Sequence, residues 1–138
     1  MKPIWTNSKV SSPMNELHKH GVVILDFGSQ YTQLIARRVR EQNVFSEILP
    51  PETSITDILN REPAALILSG GPSSIFGNEA PEFDKAILDT DLPILGICYG
   101  LQLLAHHQGG EVESTGQGEY GFAEIELDDN SGLFDSVP

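Results

Sequence analysis

The chain is 138 residues long and carries 20 acidic against 8 basic side chains, a net charge of −12, which repels a phosphate backbone and argues against a nucleic-acid partner. The length suits one domain that can bury a core without metals or disulfides, and its single cysteine excludes an internal disulfide and fits a reducing, cytoplasmic compartment. No apolar run reaches bilayer length and no secretory signal opens the chain, so no membrane partner is expected.

Residues 1–20 mix Lys2, Pro3, Ser11, Ser12, Pro13, His18 and His20 without periodicity. They are expected to form a flexible extension ahead of a domain occupying residues 21–138. From Gly21 the pattern changes to apolar runs alternating with amphipathic segments: Val22–Leu25, then Ser29–Gln42, then Val44–Leu49, then Ala64–Leu68. Such alternation predicts an α/β fold, an open and mostly parallel sheet with helices on both faces.

Within Ser29–Gln42, Tyr31, Leu34, Ile35 and Val39 recur at helical spacing, while Arg37, Arg38 and Arg40 gather in the last turns, where they complement the helix dipole as a solvated end. A third helix is expected over Ala80–Asp89 and a strand over Leu92–Ile97, short, apolar and opened by a proline, as in a strand buried on both faces. Tyr99–Gln108 reads as a helix stopped by Gly109-Gly110. Beyond it, Tyr120–Leu127 alternates with period two, which predicts an antiparallel edge strand with one wet face.

Ligands of open α/β sheets sit at the carboxyl ends of the strands, which singles out the loops after the apolar runs. In Asp26-Phe27-Gly28-Ser29-Gln30-Tyr31 the single glycine falls short of the spaced set that cradles a pyrophosphate. The pair in Ser69-Gly70-Gly71-Pro72-Ser73 lets backbone N–H groups approach a ligand, and by itself fits a plain tight turn as well as half an oxyanion hole.

Gly96-Ile97-Cys98-Tyr99-Gly100 sets the cysteine between two glycines at a strand-to-helix turn, the layout of a nucleophile elbow. There the helix N-terminus favours the thiolate, and the N–H of Tyr99 would complete the oxyanion hole. A thiolate attacking an amide also needs an acid/base, and the four histidines are poorly placed for it. His106 and His107 lie about 12 Å along the helix from Cys98 at about 1.5 Å per residue, and His18 and His20 lie at the amino edge of the sheet.

The blocks Asp26–Arg38, Leu68–Pro72 and Gly96–Gln102 together resemble the class I glutamine amidotransferases, over roughly Val22 to Phe134. The resemblance implies a flavodoxin-like sheet and hydrolysis of glutamine through a thioester on Cys98, with oxyanion donors from Gly71 and Tyr99. It puts Gly70 and Gln102 beside the glutamine and calls for no metal in this segment. Ammonia would pass to a partner synthetase domain or subunit, and only that portion would use ATP and Mg2+.

The family's catalytic histidine and glutamate, spaced His-x-Glu, belong to a later segment than Pro138. A C-terminally truncated domain with little or no turnover is therefore expected, its open sheet edge inviting a homodimer or a partner chain. Many relatives carry arginine where this chain has Gly118. Two other readings stay open: a non-catalytic module that binds glutamine or a synthetase, and another cysteine hydrolase of the same architecture. In the latter a histidine often follows the cysteine, where Tyr99 stands here.

Overall fold

The computed structural model describes residues 19–71, 75, 80–113, 122, 124, 126 and 132–135. Of the sequence-based expectations, residues 1–18 of the extension placed at 1–20, Pro72, Ser73, Gly118 and most of the strand at 120–127 lie outside these residues, while Lys19 and His20 are held to Glu62 by an ion pair at 3.5 Å and a backbone bond at 2.8 Å. The three described positions of that strand, Phe122, Glu124 and Glu126, carry no strand structure.

Four parallel strands form one sheet: β1 (Val22–Leu25), β2 (Ser46–Leu49), β3 (Ala65–Leu68) and β4 (Ile94–Gly96), in the order β2-β1-β3-β4. Val22 pairs with Ser46 on one side and Ala65 on the other, so the three runs start level. Between strands lie α1 (Thr32–Glu41), α2 (Ile55–Leu59), a 3-10 helix (Lys85–Asp89) and, after β4, α3 (Tyr99–His107). This is the flavodoxin-like order, and it places a change of winding direction between β1 and β3.

The period of two along each strand divides the core into two layers. Val23, Leu25, Leu66 and Leu68 point to one face, where Ile58 of α2, Ile87 and Leu103 of α3 cover them. Ile24 and Ile67 point to the other and pack against Ala36 of α1, with Ile35 and Val39 beside it. Each fully buried Leu or Ile contributes roughly 1.5–3 kcal/mol, so helices are held on both faces, as the alternation predicted.

Polar residues at the helix ends add bonds within α1 and between neighbouring elements. Arg37 and Arg38 both pair with Glu41, at 3.1 and 2.8 Å, and Arg40 donates to the Ser46 carbonyl at 2.8 Å. Ser46, buried, returns a bond from its hydroxyl to the Ala36 carbonyl at 3.1 Å. Asp84 caps two element starts at once, accepting from the Ile55 N–H at 2.9 Å and the Ala86 N–H at 3.1 Å.

Two expectations need correction. The helix anticipated over Ala80–Asp89 is a single 3-10 segment from Lys85, because Asp84 is extended and its carboxylate caps the Ala86 N–H, which fixes the start there. The strand before Cys98 is not buried on both faces: β4 is the edge of the described sheet and Leu95 is 39% exposed. An apolar run identifies such a strand but not its neighbours. No range had been anticipated for α2, which owes its start to Ser54, whose hydroxyl accepts from the Asp57 N–H at 3.1 Å.

Candidate active site

A cleft of about 420 Å³ opens at the carboxyl edge of the sheet and is lined by Gly28, Ser29, Gln30, Tyr31, Gly70, Gly71 and Cys98. Its walls are thus the loops after β1, β3 and β4, which straddle the point where the winding reverses.

The first wall is fixed by local hydrogen bonds. Asp26 accepts from the Gly28 N–H at 2.9 Å and from the Thr32 hydroxyl at 2.8 Å, and Ser29 Oγ accepts from the Tyr31 N–H at 3.1 Å. Gly28 takes φ +95°, which a side chain would resist. This loop therefore presents Ser29, Gln30 and Tyr31 to the cleft.

The second wall is Gly70-Gly71, where Gly71 has no room for a side chain and Gly70 has little. A Cβ on Gly70 would lie 3.3 Å from the Cβ of Cys98, and one on Gly71 would lie 2.5 Å from the Phe27 carbonyl oxygen. The loop thus presses against Cys98 on one side and against the β1 loop on the other.

The third wall is the elbow. Cys98 is exposed and sits at φ +52°, ψ −109°, a conformation that costs a residue with a Cβ about 1–3 kcal/mol. The strain is maintained by close packing: a Cβ on Gly96 would meet the Gly100 carbonyl at 2.6 Å, and one on Gly100 would meet the Leu68 oxygen at 2.3 Å. The Gly100 N–H is shared between the carbonyls of Ser69 at 3.2 Å and Ile97 at 3.1 Å, which ties the first turn of α3 to the end of β3.

The backbone N–H of Tyr99, the first residue of α3, is among those for which a helix has no internal partner. Among the described residues, no backbone acceptor engages it or the N–H of Gly71. The Tyr99 ring turns away from this function and packs on Phe27 at 5.2 Å between centroids. Burial raises its phenol pKa above the ordinary 10.0.

The structure therefore brings together Cys98, Gly70 and Gly71 and sets Tyr99 directly after Cys98. Gln102 is exposed one turn along α3 and is not part of the described lining. Ser29, Gln30 and Tyr31 line the cleft although sequence reasoning weighed that loop only as a nucleotide site. The available signal was its position at the carboxyl end of an apolar strand.

No described histidine joins the site. His20 precedes β1 and donates its backbone N–H to the Glu62 carbonyl at 2.8 Å, His107 pairs with Asp89 at 2.8 Å near the far end of α3, and His106 adjoins it there. His18 lies outside the described residues.

A cysteine on a strained strand-to-helix turn, beside two backbone N–H groups, is equipped to attack a carbonyl carbon and to hold the oxyanion that results. Comparison with known proteins agrees with that chemistry. The family model described as glutamine amidotransferase class-I matches residues 23–138. The glutamine-hydrolyzing GMP synthase of Campylobacter lari is 52% identical over 122 residues, covering 88% of this chain and 24% of that protein. Those of Brachyspira hyodysenteriae and Thermobifida fusca are 54% and 52% identical, covering 83% and 85% of this chain and 22% of each relative. The chain thus spans about a quarter of the length of the curated relatives it matches.

Proposed function

The chain belongs to the glutamine amidotransferase class-I family, and from that membership we propose that it supplies the glutamine-hydrolysing site of a GMP synthase. Cys98 Sγ, as thiolate, adds to the side-chain carboxamide carbon of glutamine and forms a C–S bond. The carbonyl oxygen takes up the negative charge and is held by the N–H groups of Gly71 and Tyr99. The C–N bond then breaks, the nitrogen leaves as ammonia after gaining a proton, and water hydrolyses the thioester to glutamate and free thiol.

The single observation that carries this reading is the strained, exposed Cys98 facing Gly70-Gly71 across one cleft. A module that only bound glutamine would have no use for backbone strain at its cysteine. Gly28 to Tyr31 and Gly70 are the described residues that would enclose the substrate, with Gln102 offered from one turn beyond Cys98.

In this reading ammonia passes to a synthetase portion, the partner, where ATP and Mg2+ drive amination of xanthosine monophosphate to GMP in the cytoplasm. Among the described residues no three His, Cys, Asp or Glu side chains converge on a metal position, and no step at Cys98 is routed through ATP or magnesium. Protonation of the leaving nitrogen needs an acid/base that no described histidine supplies, a contribution of about 10²–10⁴-fold.

The test is covalent labelling by a chloroketone analogue of glutamine, with the modified peptide located by mass spectrometry. Modification at Cys98, blocked by free glutamine and absent in Cys98→Ser, is expected. Failure of glutamine to protect, or modification elsewhere only, overturns the reading.

A further inference from the structure

We propose that Ser69 is a positioning residue for this chemistry: its hydroxyl locks the Gly70–Gly71 peptide so that the Gly71 N–H faces the cleft. The inference rests on the glutamine-hydrolysing reading above and deepens it.

Ser69 is wholly buried, and all of its polar groups are engaged. Its N–H donates to the Leu25 carbonyl at 3.1 Å and its carbonyl accepts from the Gly100 N–H at 3.2 Å. Its hydroxyl accepts from the Phe27 N–H at 3.0 Å and lies 2.9 Å from the Gly70 carbonyl oxygen. A hydroxyl carries one proton, and the Phe27 N–H can only donate. The Ser69 proton must therefore point to the Gly70 oxygen, and the two bonds fix each other's direction.

The consequence falls on the next atom pair. The Gly70–Gly71 peptide is trans, so its C=O and N–H point in opposite directions in one plane. Drawing the Gly70 carbonyl toward buried Ser69 turns the Gly71 N–H away from it, toward the cleft that Gly70, Gly71 and Cys98 line.

Left alone, a peptide between two glycines is among the freest in a chain. Half a turn would replace the donor by a carbonyl oxygen, which repels an oxyanion. Through its own carbonyl Ser69 also holds the Gly100 N–H, and with it the turn that carries the Tyr99 N–H. One buried serine thus sets both donors in one frame.

The experiment compares two reagents in the intact native polypeptide that carries this segment. The glutamine chloroketone reacts through addition to a carbonyl and so draws on the oxyanion donors, whereas iodoacetamide loses iodide by direct displacement and does not. Ser69→Ala is expected to lower the chloroketone-to-iodoacetamide rate ratio at Cys98 by about 10²-fold, in line with the misplacement of one such donor. The loss should fall on the limiting inactivation rate and leave the half-saturating chloroketone concentration unchanged.

Ser69→Thr keeps the hydroxyl and should keep the ratio within about threefold of wild type even where its extra methyl lowers the melting temperature. Ser69→Cys, similar in shape with a weaker donor, should give an intermediate ratio and stands in where the alanine variant does not fold. A wild-type ratio in the alanine variant, or in the cysteine variant standing in for it, overturns the role of Ser69 alone. Absence of glutamine-protected labelling in wild type overturns the glutamine reading itself and this inference with it.

Discussion

Gly100→Ala tests the packing that forces Cys98 into its strained turn. The added Cβ would fall 2.3 Å from the Leu68 carbonyl oxygen and 2.6 Å from the Leu68 Cβ. An unstrained carbon-to-oxygen approach is about 3.3 Å, so α3 and β3 must separate by about 1 Å. Both clashing partners are anchored in backbone, which puts the overpacking cost near the upper end of its range, about 3 kcal/mol. Alanine is the better helix former by about 1 kcal/mol, leaving a net destabilisation of about 2 kcal/mol.

For a chain of this size that is a melting-temperature loss of about 8 °C. Thermal or urea unfolding of the two proteins measures it directly, and the sign decides the matter. If α3 did not approach β3 so closely, helix propensity would act unopposed and the variant would be about 1 kcal/mol more stable than wild type. A stabilised or neutral Gly100→Ala refutes the reasoning. The same displacement should slow chloroketone labelling of Cys98 by about 10²-fold, since reacting groups about 1 Å out of place lose that much.

Cys98→Gly should be more stable than Cys98→Ala by about 1 kcal/mol, because only the alanine keeps a Cβ at φ +52°; equal denaturation midpoints for these two inert variants would remove the strain argument. Tyr99 predicts a pH dependence. Burial raises its folded-state pKa above 10.0, so the folded state retains the proton longer than the unfolded one and stability falls as pH rises past about 10 toward the folded value. The urea midpoint difference between wild type and Tyr99→Phe should be flat below about pH 9.5 and shift in favour of the phenylalanine variant above about pH 10. A difference that stays constant to about pH 11 would show that the phenol is not buried.

The cysteine elbow was legible in the sequence because its chemistry is local. Strand, glycine, cysteine, glycine and helix are consecutive, and the turn they imply appears with Cys98 at positive φ. Strands β1 and β3 were legible for a similar reason, since their apolar runs are unbroken and bounded by polar segments, whereas β2 carries Ser46 and Glu47 between the apolar pairs Val44-Phe45 and Ile48-Leu49. The short α2 was not anticipated, because five helical residues carry too little periodicity and depend on a cap from Ser54 and a bond to distant Asp84.

The cleft-lining role of Ser29, Gln30 and Tyr31 was missed because it depends on where the β1 loop lies relative to β3 and β4. Composition of that loop shows only a single glycine and a set of polar residues. Likewise, nothing in the run Leu92–Ile97 reveals that β4 pairs on one side only among the described strands.

The sequence by itself determined the cysteine elbow, the glycines around it and the alternating α/β plan, because each follows from neighbours within a few residues. Only the tertiary structure decided which loops meet at Cys98 and what the buried Ser69 hydroxyl engages beside Gly70. Those depend on strand order and on the bonds from Ser69 to Phe27, 42 positions earlier in the chain, and to Gly100. Contacts that close over such separations are set by how the sheet is assembled, and no local pattern encodes them.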